Sequence, residues 1–539
     1  MKKLFFTVLT VTLGTSLQAQ HTIKDALKNT ENERYEDAKK DFESLITSDP
    51  TSVDNLYYFG NYYQILGDNK KAVEMWQKAG ALNPEDKLSQ VSMAKAIYFG
   101  GDTTTAAQQF CATIKKTKSK NAQVLLRVAE TYYTGPIKNL KLAEGYLKQT
   151  IALEPKNVEA LSMLGDVLLA QSAQNVSAAT AQYNAALQVE PSNAALIAKK
   201  AMIYLGVKNY QLANDEFIKA ETANPNFAPA YRQHAELNMA FAKYNNAADL
   251  YKKALAINPT NEARYRLATA LFAAAKYSEA MVELNTLESN GYSNAYTKRF
   301  IAYSLYETNT AADEALYQKA LMASDEFFKV VESDKIIGDD YKYRANILVK
   351  LKQEEKAIAE FEKAATLDSD KGGDYLTEIA KLYGKTKNYV KIIETYKKKE
   401  TTFADKMSPN DLFDFGRAYY FNNQYVESEQ QFAKLIEKAP SFPNGYFWSA
   451  RAKDKQDLAD VKVRKYLAKD MYETYLTKLT EEDKAKAKSN MIEASKYLGD
   501  YYVNSKEGKD FVKAKVYWTT VQTLEPNDPQ AKAFFTMKQ

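Results

Sequence analysis

Apolar residues recur along this chain every three or four positions, the period of a helix that buries one face. In residues 53–86, VDNLYYFGNYYQILGDNKKAVEMWQKAGALNPED, Leu56, Phe59, Gly60 and Tyr63 fall on one face of a first helix. Gly67-Asp68 break the run, and Ala72, Met75, Trp76 and Ala79 line a second helix. Pro84 stops that helix, because proline lacks an N–H and its ring clashes with the preceding turn. One unit therefore reads as helix, turn, antiparallel helix. The second half recurs in QLANDEFIKAETANPNF, residues 211–227, and NNAADLYKKALAINPTN, residues 245–261: Ala, an aromatic four on, Ala three further, then Asn-Pro.

The terminating prolines set the period. Steps of 34 residues separate Pro50 from Pro84, Pro191 from Pro225 and Pro225 from Pro259, and Pro155, Pro440 and Pro526 close further units. A fixed period of this size predicts a solenoid, in which each helix pair hides its apolar face only against its neighbours. Gly60, Ala72 and Ala79 sit where two helices must approach closely, and Tyr63 and Trp76 fill the adjoining gaps. Enlarging Ala72 or Ala213 is expected to overpack the pair, at about 1–3 kcal/mol.

The run Gly60, Tyr63, Ala72, Trp76, Ala79, Pro84 resembles the tetratricopeptide repeat. It recurs in Ala201, Tyr204, Ala213, Phe217, Ala220, Pro225, and in Ala235, Ala247, Tyr251, Ala254, Pro259. Later copies start from Ala345, Gly416 and Gly499. The resemblance implies an all-α solenoid, a superhelix of about thirteen helix hairpins over residues 22–526. The expected division is a leader over 1–20, a first array over 21–306, and an irregular unit, a candidate bend, over 307–340. A second array over 341–526 and a capping helix over 527–539 complete it. The cap reads as NDPQAKAFFTMKQ, with Asp528 as N-cap and Pro529 at the first helical position.

Composition fits this picture. Only 19 Gly and 13 Pro punctuate 539 residues, which starves β-turns, and the 39 Tyr serve largely as packing residues. The formal charge is +5, or +3 without Lys2 and Lys3, too balanced for a nucleic-acid binder. The run Lys397-Lys398-Lys399 reads as a solvated helix end. MKK, the short apolar run LFFTVLTVTL and the exit GTSLQAQ have the plan of a secretory signal peptide, cut after Ala19 or Gln20. No cysteine lies near the exit, so no lipoprotein anchor is expected, and no other segment is apolar enough to cross a membrane. An exported, periplasmic protein with no membrane anchor of its own is the expectation.

Candidate chemistry is sparse. Cys111 is the one cysteine and reads as a small buried apolar residue, which excludes an intramolecular disulfide or a thiolate metal cage. The two histidines are His21, beside the leader, and His234, which reads as a hydrogen-bonded structural residue. Gly100-Gly101-Asp102 is a turn and no GxxxxGK[ST] occurs. No catalytic residue, metal or cofactor is expected, and the protein reads as a non-enzyme.

The resemblance does imply a groove lined by first helices, where family members hold an extended peptide or a partner's helix. Its positions carried over are Tyr57/Asn61, Arg232/Glu236, Lys342/Asn346, Phe413/Arg417 and Phe447/Arg451. Lys342 and Asn346 resemble the start of a clamp for a peptide's terminal carboxylate. The next units offer Thr377 where that clamp wants Asn, and Phe413 and Asp414 where it wants a basic pair. Phe413, Arg417, Tyr420, Phe447, Trp448 and Arg451 have the composition of an interface hot spot. The expected function is an exported scaffold that binds protein or peptide partners, among them outer-membrane, secretion or energy-transduction machinery. The alternatives are a periplasmic chaperone or carrier of extended chains, and a glycan-binding or enzymatic role for groove carboxylates.

Overall fold

The computed structural model describes residues 22–458 and 464–537, so the leader and His21 lie outside the described residues. Among the described residues every regular element is helical. Consecutive helices pair in antiparallel fashion. Eight pairs occupy 23–48, 53–82, 87–116, 122–153, 158–189, 194–223, 228–257 and 261–289. Six more occupy 295–330, 338–367, 372–402, 409–438, 443–478 and 488–524. These fourteen hairpins match the expected solenoid of about thirteen.

Local chemistry sets each hairpin. The residue ending the turn between paired helices is commonly an Asp or Asn that caps the second helix: Asp68 accepts from the Lys71 N–H, Asp102 from Thr105 and Asn209 from Leu212. The residue before it takes left-handed backbone. Gly67 (φ 77°) and Gly101 (φ 102°) do so without strain, whereas Ala242 (φ 55°) and Ala275 (φ 58°) do so with a Cβ present. The GGD stretch is thus a turn.

The small and large residues meet as expected. Ala72 and Ala213 are fully buried. A Cβ built on Gly165 would lie 2.6 Å from the Tyr183 ring, one on Gly416 2.8 Å from Phe432, and one on Gly499 2.6 Å from Trp518. Gly60 is closer still to Trp76. The last helix, Pro529–Thr536, caps the array: Asp528 accepts from the Ala531 N–H, Ala531 is buried, and Phe534 stacks on Trp518 at 6.0 Å.

The chain forms two compact units, Met1–Tyr292 and Ser293–Gln539. The division therefore falls ahead of the bend expected over 307–340. That stretch lies inside the second unit, where a 17-residue second helix, Glu314–Val330, and a short 3-10 turn, Ser333–Lys335, absorb its extra length.

The first unit closes on itself. Glu33, in the turn of the first hairpin, accepts from Arg232 Nε at 3.1 Å and Nη2 at 2.7 Å. Its carbonyl accepts from Asn258 Nδ2 at 3.1 Å. The first hairpin thereby touches the seventh, 199 residues along the chain.

Candidate functional site

The groove positions expected in the first unit are largely spent on internal bonds. Tyr57 is fully buried and donates to Glu130, and Asn61 donates to the same carboxylate at 2.7 Å. Lys95, on the next hairpin, donates to Glu130 and to Asn61 Oδ1. Arg127 clasps Glu130 at 2.7 Å and Glu159 at 2.6 and 2.7 Å. Burial alone would push the Glu130 carboxyl up, but Lys95 and Arg127 outweigh it and hold the group down at about 2. Tyr57 therefore offers no docking surface, because Lys95 and Glu130 from the next two hairpins cover it. Arg232 is taken by Glu33, and it shares Glu236 with Arg266 at 3.0 and 2.8 Å. Beside this closure lies a hollow of about 710 Å³ walled by Glu31, Lys199, Met202, Val207 and Phe227. Burial raises the Glu31 carboxyl there.

Three other expectations change. Cys111 is exposed, since it comes directly after the packing residue Phe110 and so points about a quarter turn away from the core. Lys399 is no solvated helix end: it is 1% exposed and donates to Asp411 at 2.8 Å and to Thr377 at 2.7 Å. Thr377 in turn donates to Asp411, so this clamp position is internal. Lys342 pairs with Asp339 at 3.1 Å and lies over the Tyr343 ring, and Asn346 is half-buried on the same helix. His234 is satisfied, between Glu221 at 2.7 Å and Asn214 at 3.0 Å and stacked on Phe217.

The second unit brings the aromatic and arginine residues together. Phe413, Arg417, Tyr420 and Phe421 come from helix Pro409–Phe421, and Phe447, Trp448 and Arg451 from helix Pro443–Leu458. Both are first helices of neighbouring hairpins. Trp448 is the hub: the Tyr420 ring lies 5.3 Å away and the Phe421 ring 5.7 Å, both edge to face. The Arg417 guanidinium lies 5.2 Å from the Trp448 ring and that of Arg451 4.9 Å. Arg451 also pairs in a two-pronged fashion with Glu493 at 2.7 and 2.6 Å, and this bonding raises its pKa further. Phe447 departs from the expectation. It is 1% exposed, packed against Tyr472 and Tyr475, and supports Trp448 from below instead of facing solvent.

A hollow of about 290 Å³ borders the cluster, walled by Lys381, Tyr389, Asp414, Arg417 and Phe421. Burial raises the Asp414 carboxyl, against the pull of Arg417. Phe421 was legible as the residue one helical turn beyond Arg417. Glu493, 42 residues beyond Arg451 on the next hairpin, carried no such signal. Among the described residues no group of three His, Cys, Asp or Glu is placed to hold a metal ion, and no helix is long and apolar enough to cross a membrane.

Residues 239–299, spanning the end of one hairpin, the whole of the next and the start of another, match the sequence model of the tetratricopeptide repeat. That stretch carries a tetratricopeptide repeat. Repeats of this kind generally mediate protein–protein interaction. No curated protein sequence matches the chain. Among solved structures, the tetratricopeptide array is similar to the C-terminal part of a TPR repeat-containing protein from Cytophaga hutchinsonii. Identity there is 29%, over 51% of this chain and 100% of the other, with a TM-score of 0.40. A tetratricopeptide repeat protein from Parabacteroides merdae is 20% identical over 48% of this chain and 98% of the other, with a TM-score of 0.31. A protective antigen of uropathogenic Escherichia coli displaying an SLR fold is 15% identical over 85% and 98%, with a TM-score of 0.46.

Proposed function

We propose that this protein is an exported, non-enzymatic scaffold of the bacterial envelope that binds protein partners through the Trp448 cluster of its second unit. The observation that carries the reading is the contrast between the two inner faces. In the first unit, Tyr57, Asn61, Lys95, Arg127 and Glu130 are bonded to one another. In the second, half-buried Trp448, Tyr420 and Arg417 stand together with surface to spare. Large aromatic rings and arginine concentrate binding energy because they bury much area and lose little conformational freedom. Export rests on the leader's charged start, short apolar run and small-residue exit. Periplasmic placement among outer-membrane, secretion or energy-transducing machinery completes the proposal.

In-cell photo-crosslinking from Tyr420 tests it. A single captured partner, lost with Trp448→Ala while the helical circular dichroism is unchanged, is the expected result. Crosslinks scattered over many abundant proteins would replace the scaffold with a chaperone.

A further inference from the structure

The sequence holds ten arginines, all among the described residues. Nine hold a carboxylate in an ion pair. Arg417 alone holds none, and makes no hydrogen bond to the described residues. Its Nε is buried without a partner. Its guanidinium instead lies among three rings, Phe413 at 5.5 Å, Phe421 at 5.7 Å and Trp448 at 5.2 Å. Rings hold a guanidinium by its face and leave the N–H edge free. Arg417 is one of the walls of the 290 Å³ hollow.

A half-buried guanidinium with unspent donors is an unfinished ion pair. The rings fix its plane in advance, so a planar anion that docks edge-on gains two parallel hydrogen bonds at small entropic cost. Asp414 walls the same hollow without bonding to Arg417, and its negative charge disfavours a doubly charged guest. A carboxylate, planar and singly charged, meets both requirements, whereas a phosphate monoester meets neither.

We propose that Arg417 receives the side-chain carboxylate of an aspartate or glutamate in an extended partner segment, while Trp448 and Tyr420 take up an aromatic or apolar side chain beside it. This rests on the scaffold reading and names the chemistry of the partner at the same site. It makes Arg417 the selective element of the cluster and Trp448 the general one. Arg451, already neutralised by Glu493, holds Trp448 in place.

The test is selection of displayed, internal peptides on the full chain, with affinity then measured for the peptides recovered. The expected result is enrichment of Asp or Glu at one position next to an aromatic residue, at least fivefold over the starting library. Changing that acid to its amide should weaken binding by about tenfold or more on the natural protein, and by less than twofold on Arg417→Gln. Should Arg417→Gln fail to fold, the amide substitution on the natural protein and the milder Arg417→Lys decide alone, the lysine retaining charge but losing the fork. Binders without acidic enrichment, or an equal amide penalty in Arg417→Gln, overturn the assignment and leave the scaffold standing. Phosphoserine peptides that outbind the carboxylate ones also overturn it. Recovery of no peptide at all sinks the scaffold reading beneath it.

Discussion

Gly165→Ala is the sharpest probe of how the hairpins pack. Its Cβ would lie 2.6 Å from Tyr183 Cε1 and 2.8 Å from Cζ, where ordinary contact begins near 3.4 Å, so the ring must retreat by about 0.8 Å. Tyr183 is 1% exposed, and its hydroxyl donates to Asp166, which also receives Lys199 at 2.7 Å. Retreat therefore pulls on a charge-assisted hydrogen bond as well as on the core. Overpacking of this kind costs about 2 kcal/mol, and a weakened bond to a charged group adds about 1. Alanine in a helix interior gives back about 1 kcal/mol, leaving a net loss of about 2. Gly145, in the hairpin before, is the internal control: nothing lies within 4 Å of its built Cβ. Gly145→Ala should therefore stabilise by up to about 1 kcal/mol through helix propensity alone. Thermal unfolding followed by far-ultraviolet circular dichroism should move down by about 4 °C for the first variant and up by about 2 °C for the second. Two shifts of the same sign would refute the claim that glycine at this position exists to admit a ring.

Three further outcomes rest on the same geometry. Glu130 has a folded pKa held near 2 against an unperturbed 4.5, so its contribution is complete above about pH 4.5 and is lost as the pH falls through 2. That is about 3 kcal/mol of acid-side stability, read as a pH series of urea midpoints that Glu130→Gln should flatten, at a neutral-pH cost of about 3–5 kcal/mol for stranding Lys95 and Arg127. Ala275→Gly relieves left-handed backbone at φ 58° and should stabilise by about 0.5–1 kcal/mol in the same assay; a loss would show that the turn tolerates its Cβ. Glu33→Ala removes a part-exposed pair worth ~0.5–1 kcal/mol, so amides of helix Ile23–Glu31 should exchange roughly two- to fivefold faster, and unchanged protection would mean that other contacts close the unit.

The fold was legible because its causes are local. Proline stops, Asp and Asn caps and the glycine–aromatic pairs act within about one hairpin, so a single repeat announces them all. What escaped depended on side chains arriving from other hairpins. Lys95 sits next to Ala94 on a helix that looks half polar, and only the arrival of Glu130 and Arg127 explains how an ammonium comes to be fully buried. Lys399 was hidden in the same way by Asp411. The groove register borrowed from the family put Tyr57 and Phe447 on the correct helices but could not tell that other side chains lie over them. Arg417 and Arg451, from the same register, and Tyr420 do meet around Trp448, where residues on neighbouring first helices come together by simple stacking.

The bond from Glu33 to Arg232 has a consequence for how this molecule can change over generations. An open stack of hairpins gains or loses a member at little cost, since each touches only the next. Here the first member also reaches the seventh, so deleting or duplicating any hairpin between them would carry Arg232 out of range of Glu33 and break the closing bond. The first unit counts its own members, and variation in length should be confined to the chain beyond Asn258.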